Sequence, residues 1–261
     1  MNIRLIGYGR LAKSLATIWH KHHQLIVSSP TLETKTLELG IRTLSDNTMH
    51  LHQQDLIVLA VKPKLITHVL DEIRAQLAPS SLIVSLAAGV TLDALKQHTP
   101  HHSQVIRAMP NISAEVGQSA TLLLKSENLN PQQSLIIEQC FQQCGIIEWV
   151  SNDEVLDLGT ILAGSGPGYV FYMMRALQES VTALGMPTEI AKKLVQQTFL
   201  GASLLAIHKS ESLLELQQQV TSPKGTTAAA LEVFDKYHLD QQLHEALNAA
   251  WQRVLELRNQ R

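Results

Sequence analysis

The hydrophobic positions in the first half of the chain alternate between two spacings. Short apolar runs are typical of parallel strands that are covered on both faces, and they alternate with stretches in which apolar residues recur at helical spacing. The runs lie at residues 3–6, 24–27, 56–61, 82–86 and 146–150. This alternation predicts an α/β domain of the Rossmann type, with a doubly wound, mostly parallel sheet.

The helices between these strands carry recognisable start signals. Pro63 occupies the first position of one predicted helix, where a missing N–H group costs no hydrogen bond. A later helix is predicted to begin at Asn130 and Pro131 and to end at Gly145. The apolar positions that follow Pro63 predict the buried face of the first of these helices, which consists of Leu65, Val69, Leu70 and Ile73.

Beyond residue 152 the strand pattern ends and helical periodicity takes over. The chain therefore divides, on this interpretation, into a dinucleotide-binding domain at 1–152 and a C-terminal all-helical domain at 153–261. About 110 helical residues make a small core, so we expect this domain to pair with a second copy, giving a homodimer or a higher homo-oligomer. The alternative is a self-sufficient helical bundle. Helices are predicted at 155–162, 170–184, 190–207 and 243–257, with turns at 164–167 and 185–187.

Composition and charge exclude several classes of protein. The 261 residues are 45% hydrophobic and 17% charged with a net charge of −2, so the sequence lacks the basic surface expected of a nucleic-acid binder. It also lacks a span of about 20 apolar residues that would cross a membrane. A cytoplasmic protein with a small-molecule partner is expected. No metal-ligand spacing occurs, and Cys140 and Cys144 are interpreted as core residues.

A glycine-rich segment joins the first predicted strand to the first predicted helix. Gly7-Tyr8-Gly9-Arg10-Leu11-Ala12 has the spacing of the dinucleotide-binding fingerprint, with alanine at its third small position. In that fingerprint Gly7 permits a tight turn and Gly9 lets the backbone approach a pyrophosphate, while the N–H groups of the helix face the anion. The segment predicts a nicotinamide dinucleotide site.

Three further segments end predicted strands on the side where ligands bind in open α/β sheets. Ser28-Ser29-Pro30-Thr31 follows the second strand and offers hydroxyl groups where NAD-binding proteins have a carboxylate, so NADP is expected. Lys62 follows a central strand and is placed for contact with the cofactor, although an exposed lysine before a helix is an equal alternative. Small residues at 87–89 leave room for the nicotinamide.

Seven motifs stand in a fixed order along nearly the whole chain, and in that order they resemble those of the pyrroline-5-carboxylate reductase family. They are the Gly7 loop and residues 28–30, 58–63, 85–90, 107–111, 164–169 and 220–227. The resemblance implies reduction of 1-pyrroline-5-carboxylate to L-proline, the last step of proline biosynthesis, with NADPH or alternatively NADH. It also implies a helical second domain that interleaves with that of a partner chain.

The resemblance assigns roles to individual residues. Thr227 matches the family's threonine that faces the ring nitrogen, so it is the implied catalytic residue. The segment 222–227 precedes a helix and could hold a carboxylate, although on sequence alone an N-capping segment is the more common meaning of such a pattern. The implied substrate-binding residues are Asp153, Gln219, Ser222, Gly225, Thr226 and Thr227. The implied cofactor-binding residues are Gly7, Gly9, Arg10, Leu11, Ala12, Ser28, Pro30, Asn47, Val61, Lys62 and Ala88.

The chain departs from the family pattern at several of these places. Lys224 stands where the family usually has a glycine, and a positive φ there would cost about 1 kcal/mol, whereas its charge would attract a carboxylate. Glutamines fill 217–219 where an acidic residue is common, and Asp153 replaces a frequent glutamate. The motif at 110–113 ends in Ile-Ser where the family has Thr-Pro.

Two alternatives therefore accompany the leading hypothesis. The first is a reductase of a related imine or of a β-hydroxyacid-type substrate, because a dinucleotide-binding domain does not select the substrate. The β-hydroxyacid version would need a catalytic lysine on the helix that enters the second domain, and 155–162 contains none. The second is a catalytically weak NADP-binding regulatory protein, suggested by Lys224 and the glutamines.

Overall fold

A computed structural model describes residues 1–78, 81–99, 104–127 and 129–259. The strands are β1 (Asn2–Ile6), β2 (Gln24–Ser28), β3 (Lys35–Thr36), β4 (Arg42–Leu44), β5 (Leu56–Leu59), β6 (Leu82–Ser85), β7 (Val105–Met109), β8 (Ser119–Lys125) and β9 (Gly145–Trp149). The α-helices are α1 (Arg10–Trp19), α2 (Ile66–Ile73), α3 (Leu92–His98), α4 (Pro131–Gln142), α5 (Asp153–Gly159), α6 (Gly166–Ala183), α7 (Thr188–His208), α8 (Leu213–Gln219), α9 (Thr226–Lys236) and α10 (Leu239–Asn259).

The described strands form one sheet in the order β3-β4-β2-β1-β5-β6-β7-β8-β9. All neighbouring pairs are parallel except β3 with β4 and β7 with β8. The strand order reverses between β1 and β5, which creates the crevice where Rossmann-type sheets bind dinucleotides. The prediction of a Rossmann-type, mostly parallel sheet is confirmed.

Two apolar clusters cover the two faces of this sheet. One cluster contains buried residues of α1 and α4, and the other contains those of α2 and α3. Trp19 of α1 meets Phe141 of α4 edge to face at 5.3 Å between ring centroids, and its indole N–H donates to the carbonyl oxygen of Cys140 at 2.9 Å. Cys140 and Cys144 are buried and free, which confirms their interpretation as core residues.

Two details of the apolar pattern were wrong. Strand β5 ends at Leu59, two residues before the predicted end. Leu65, predicted on a buried face, is 41% exposed. The reason is that Pro63–Leu65 forms a 3₁₀ turn before α2, and a 3₁₀ helix has three residues per turn rather than 3.6. The remaining predicted positions, Val69, Leu70 and Ile73, are buried.

The apolar pattern did not single out β7 and β8. Strand β7 reads Val-Ile-Arg-Ala-Met, and the charge of Arg107 interrupts its hydrophobic run although the side chain is fully buried. Buried charges are retained only where other groups pair with them. The partners of Arg107 are Asp153 and Asp157, about fifty residues further along the chain, so no local pattern reveals that this segment is a strand.

The second half is helical, as predicted. The predicted turn at 164–167 is shorter than expected, because a π-helical turn at Thr160–Gly164 leads almost directly into α6. By compactness the chain divides into one unit of Met1–Pro167 with Ala250–Arg261, and a second unit of Gly168–Ala249. The predicted domain boundary after residue 152 stays a prediction. Across the described ranges, no helix is both long and apolar enough to cross a membrane.

Candidate active site

The glycine loop lies at the carboxyl end of β1, beside the end of β5. Gly7 has φ +96°, and a Cβ there would lie 2.7 Å from the carbonyl oxygen of Ala60, so only glycine fits this turn. Gly9 differs, because a Cβ on it would meet nothing within 4 Å. The loop therefore packs tightly against the sheet at Gly7, whereas the space beside Gly9 is free for a bound group.

Helix α1 begins directly after Gly9, which is its N-cap residue. The N–H of Lys13 donates to the carbonyl oxygen of Gly9 at 3.0 Å, so the amides of Arg10, Leu11 and Ala12 precede the first intrahelical bond. No acidic residue lies in the first turn. These amides and the positive end of the helix dipole therefore favour a bound anion.

The end of β2 lies beside this loop. The N–H of Gly7 donates to the carbonyl oxygen of Ser28 at 2.8 Å. Ser28 is fully buried and its hydroxyl has no hydrogen-bond partner in the described part of the chain. Ser29 and Thr31 share a hydroxyl–hydroxyl hydrogen bond of 3.0 Å, and Pro30 lies between them. This corner presents hydroxyl groups and no carboxylate.

Asn47 belongs to the loop between β4 and β5 and is buried. Its amide donates to the carboxylate of Glu72 at 2.9 Å, and its Oδ1 has no partner among the described residues. Burial raises the pKa of Tyr8 in the glycine loop. The sequence offered no sign of the contact between Asn47 and Glu72, which are 25 residues apart.

The ends of β5 and β6 supply the next predicted cofactor residues. Val61 and Ala88 are half-buried, and Lys62 is exposed. Lys62 lines a cavity of about 580 Å³ together with Lys64, Gly89 and His98. Because parallel strands end at one edge of a sheet, the cofactor residues that the resemblance implies lie at this edge, in the loops that follow it or in the first turn of α1.

The predicted substrate loop belongs to the second compact unit. Gly225 is the N-cap of α9, and its N–H donates to the carbonyl oxygen of Ser222 at 3.0 Å. A Cβ on Gly225 would lie 2.5 Å from the Ser222 hydroxyl and 3.0 Å from the Ser222 carbonyl oxygen, so a larger residue would require Ser222 to shift. Thr226 and Thr227 open the helix. Their amides belong to its first turn, which contains no acidic residue.

Lys224 in this loop has φ +61°, the conformation that the sequence predicted to be strained. The side chain is exposed and, within the described ranges, makes no ion pair. Gln219, at the end of α8, donates to the carboxylate of Glu211 at 3.4 Å and is exposed. The loop and the first turn of α9 therefore present a cation, the hydroxyl groups of Ser222, Thr226 and Thr227, and the positive end of a helix.

Asp153 occupies a different kind of position, in the first turn of α5. Its carboxylate accepts hydrogen bonds from Arg107 at 2.5 Å and from the N–H of Leu92 at 3.1 Å. Arg107 also donates to Asp157 at 2.6 Å. The sequence analysis assigned no role to Arg107 or Asp157. The signal that could have identified this pair is the charged Arg107 inside an otherwise apolar segment. They tie α5 to the sheet.

Two family models match this chain, one in each half. A family model described as pyrroline-5-carboxylate reductase dimerisation matches residues 153–257, and one described as NADP oxidoreductase coenzyme F420-dependent matches residues 2–89. The pyrroline-5-carboxylate reductase of Pseudomonas aeruginosa is 33% identical to this chain, over 99% of this chain and 97% of its own. This chain belongs to the pyrroline-5-carboxylate reductase family. A dimerisation domain of that family therefore forms its second half.

Solved structures of the family agree with the fold. A pyrroline-5-carboxylate reductase from Coxiella burnetii superposes with a TM-score of 0.86 at 33% identity, covering 98% of each chain. The pyrroline carboxylate reductase of Plasmodium falciparum, solved with NADP bound, has a TM-score of 0.90 at 24% identity and covers 99% of this chain and 98% of its own. Both the sheet and the helical half thus have the family's architecture.

Proposed function

We propose that this protein reduces 1-pyrroline-5-carboxylate to L-proline with NADPH. The observation that carries the proposal is the 33% identity to a pyrroline-5-carboxylate reductase over 99% of the chain. The two loops that such a reaction needs have suitable local geometry, one for a pyrophosphate and one for a carboxylate. The reaction requires a reduced nicotinamide against the imine carbon, a donor near the ring nitrogen and an anchor for the carboxylate.

The residues at the sheet edge fit a dinucleotide. The open space above Gly9 admits a pyrophosphate, and the unpaired, buried hydroxyl of Ser28 offers a hydrogen bond to a ribose or its phosphate. NADPH, when bound, supplies the hydride that reduces the imine. We assign the binding of this cofactor to Gly7, Gly9, Arg10, Leu11, Ala12, Ser28, Pro30, Asn47, Val61, Lys62 and Ala88.

The corner after β2 favours NADP over NAD. An NAD-specific site places a carboxylate where it hydrogen-bonds the ribose 2′-hydroxyl, and that carboxylate repels a 2′-phosphate. Here the corresponding positions carry Ser28, Ser29 and Thr31, and the nearby Glu33 is paired with Lys35 at 3.2 Å. A 2′-phosphate therefore meets hydroxyl groups at this corner. NADH remains the alternative reductant.

We assign substrate binding to the loop before α9. The amides of the first helical turn and the hydroxyls of Ser222 and Thr226 are suited to the substrate carboxylate, with the close turn at Gly225 holding the loop in shape. Thr227 is assigned to the ring nitrogen, as hydrogen-bond donor or proton path. Asp153 and Gln219 complete the proposed substrate set, as their positions in the family pattern imply.

The first test is an assay with purified protein, NADPH and 1-pyrroline-5-carboxylate, followed by the absorbance of the reduced nicotinamide. We expect oxidation of NADPH that depends on the imine. Thr227→Ala should lower kcat/KM about 100-fold, because a positioned proton donor is lost, and should leave the Kd for NADPH unchanged. Equal loss of both would place Thr227 elsewhere. Binding of NADPH without oxidation by the wild type would favour a regulatory protein.

A second test distinguishes an effect on cofactor binding from an effect on the stability of the fold. Gly9→Ala adds a methyl group at a position with φ −74° where nothing lies within 4 Å, so the free energy of unfolding should not fall. If a pyrophosphate occupies that space, the Kd for NADPH should rise about tenfold or more. Unchanged NADPH affinity in Gly9→Ala would contradict the proposed position of the cofactor.

A further inference from the structure

The last turn of α10 contacts the loop that follows β6. Gly89 in this loop has φ +73°, and a Cβ on it would lie 3.1 Å from the backbone nitrogen of Arg258 and 3.2 Å from the carbonyl carbon of Leu257. These distances are shorter than ordinary carbon contacts, so a side chain at residue 89 would push the helix away. The loop and the end of α10 are therefore in direct backbone contact.

The same helical turn forms a wall of the cavity beside the proposed cofactor residues. Leu257 lines this cavity of about 580 Å³ together with Lys62, Gly89 and Val90. Lys62 is assigned to the cofactor, and Gly89 follows Ala88, which is assigned to it as well. The end of α10 thus contacts Gly89, in the loop against which the nicotinamide is proposed to lie.

A charge interaction anchors this turn to the sheet. The Arg258 guanidinium lies 3.9 Å from Oδ2 of Asp157, a carboxylate whose side chain is 1% exposed. The other oxygen of Asp157 accepts a hydrogen bond from Arg107. Oδ2 accepts no hydrogen bond within the described ranges, and Arg258 lies at ion-pair distance from it. Arg258 therefore connects the helix end to the buried Arg107–Asp157 pair.

We propose that Arg258 is a positioning residue for NADPH. Its attraction to Asp157 holds the last turn of α10 against the loop at 87–89, and that turn fixes the backbone on which the nicotinamide rests. This inference rests on the proposed function for the identity of the ligand. The arrangement of Arg258, Leu257 and Gly89 does not depend on the substrate loop, which belongs to the second unit.

The test compares three variants of the full-length protein. Arg258→Ala should raise the Kd for NADPH about two- to fivefold, the range expected for a partly exposed ion pair, and leave the KM for the imine unchanged. Arg258→Lys should restore most of the affinity. Arg253→Ala is the matched control, because Arg253 lies on the same helix and pairs only with the exposed Glu256 among the described residues. It should bind NADPH like the wild type.

Hydrogen exchange of the cofactor-free protein supplies a readout that needs no activity. In Arg258→Ala the amides of residues 87–90 should exchange faster than in the wild type, while those of the central strands stay protected. Unchanged exchange at 87–90, or an equal acceleration throughout the sheet unit, would overturn the positioning role. A wild type that fails to reduce the imine would count against the proposed function alone, because the exchange result would still decide the role of Arg258.

Discussion

At the scale of single residues, backbone conformation explains one departure from the family pattern. Lys224 adopts φ +61°, which glycine reaches at no steric cost and a lysine reaches at a cost of about 1 kcal/mol. This cost was expected because the family usually has a glycine at this place, and it applied only if the backbone needs a positive φ. Only the structure shows that the loop takes this conformation, with Gly225 held against Ser222.

We therefore expect Lys224→Gly to stabilise the protein. Relief of the strained φ should raise the free energy of unfolding by about 1 kcal/mol, less a few tenths for the added freedom of the unfolded chain. Removal of the positive charge should raise the KM for the anionic substrate at the same time. Urea denaturation and steady-state kinetics measure the two effects. Lys224→Asn, which tolerates this conformation and lacks the charge, should raise KM without the full gain in stability.

At the scale of secondary-structure elements, helix α4 shows how a local signal sets a boundary. Asn130 accepts a hydrogen bond from the N–H of Gln133 at 2.9 Å, and the Gln133 side chain accepts from the N–H of Asn130 at 3.2 Å. This capping box satisfies two amides that the helix leaves unpaired. Pro131 then occupies the first helical position. All the residues involved lie within four positions, so the sequence predicts this start.

Loss of the cap should weaken this element measurably. Asn130→Ala removes the acceptor for the Gln133 amide and should lower the free energy of unfolding by about 1 kcal/mol. Gln132→Ala, at an exposed position of the same first turn, is the control and should change stability by less than about 0.5 kcal/mol. Thermal or urea unfolding compares the two. Equal effects would show that the capping hydrogen bond contributes no stability.

At the scale of the whole molecule, the helical half leaves many large apolar side chains in water. Phe171, Leu194, Leu200 and Leu205 on α6 and α7 are each about half exposed. Large apolar side chains exposed in this number on two helices favour an interface rather than a free surface. Together with the family's dimerisation domain, it supports the proposal that a second copy of this chain covers these helices.

A charge placed on this apolar surface should separate the copies. Phe171→Glu would bury a carboxylate in the proposed interface, so sedimentation should show a monomer where the wild type gives a dimer or larger. Leu39→Glu, at a half-exposed apolar position between β3 and β4, changes the charge by the same amount and should leave the assembly intact. A wild type that sediments as a monomer at micromolar concentration would contradict the dimer and favour a self-sufficient bundle.

The sequence by itself determined the features whose causes are local. The alternation of apolar runs predicted the parallel strands, the glycine spacing predicted the loop at Gly7, and capping residues predicted where α4 begins. Steric limits on φ and hydrogen bonds within one helical turn act over a few residues, so they are visible in a short window.

Tertiary structure alone decided the features that depend on distant partners. Arg107 is buried because Asp153 and Asp157 approach it from about fifty residues away, and Gly89 matters because the end of α10 contacts it. A buried charge is stable only with a partner, and a close backbone approach needs two surfaces. Neither feature can therefore be predicted from the residues of one segment alone.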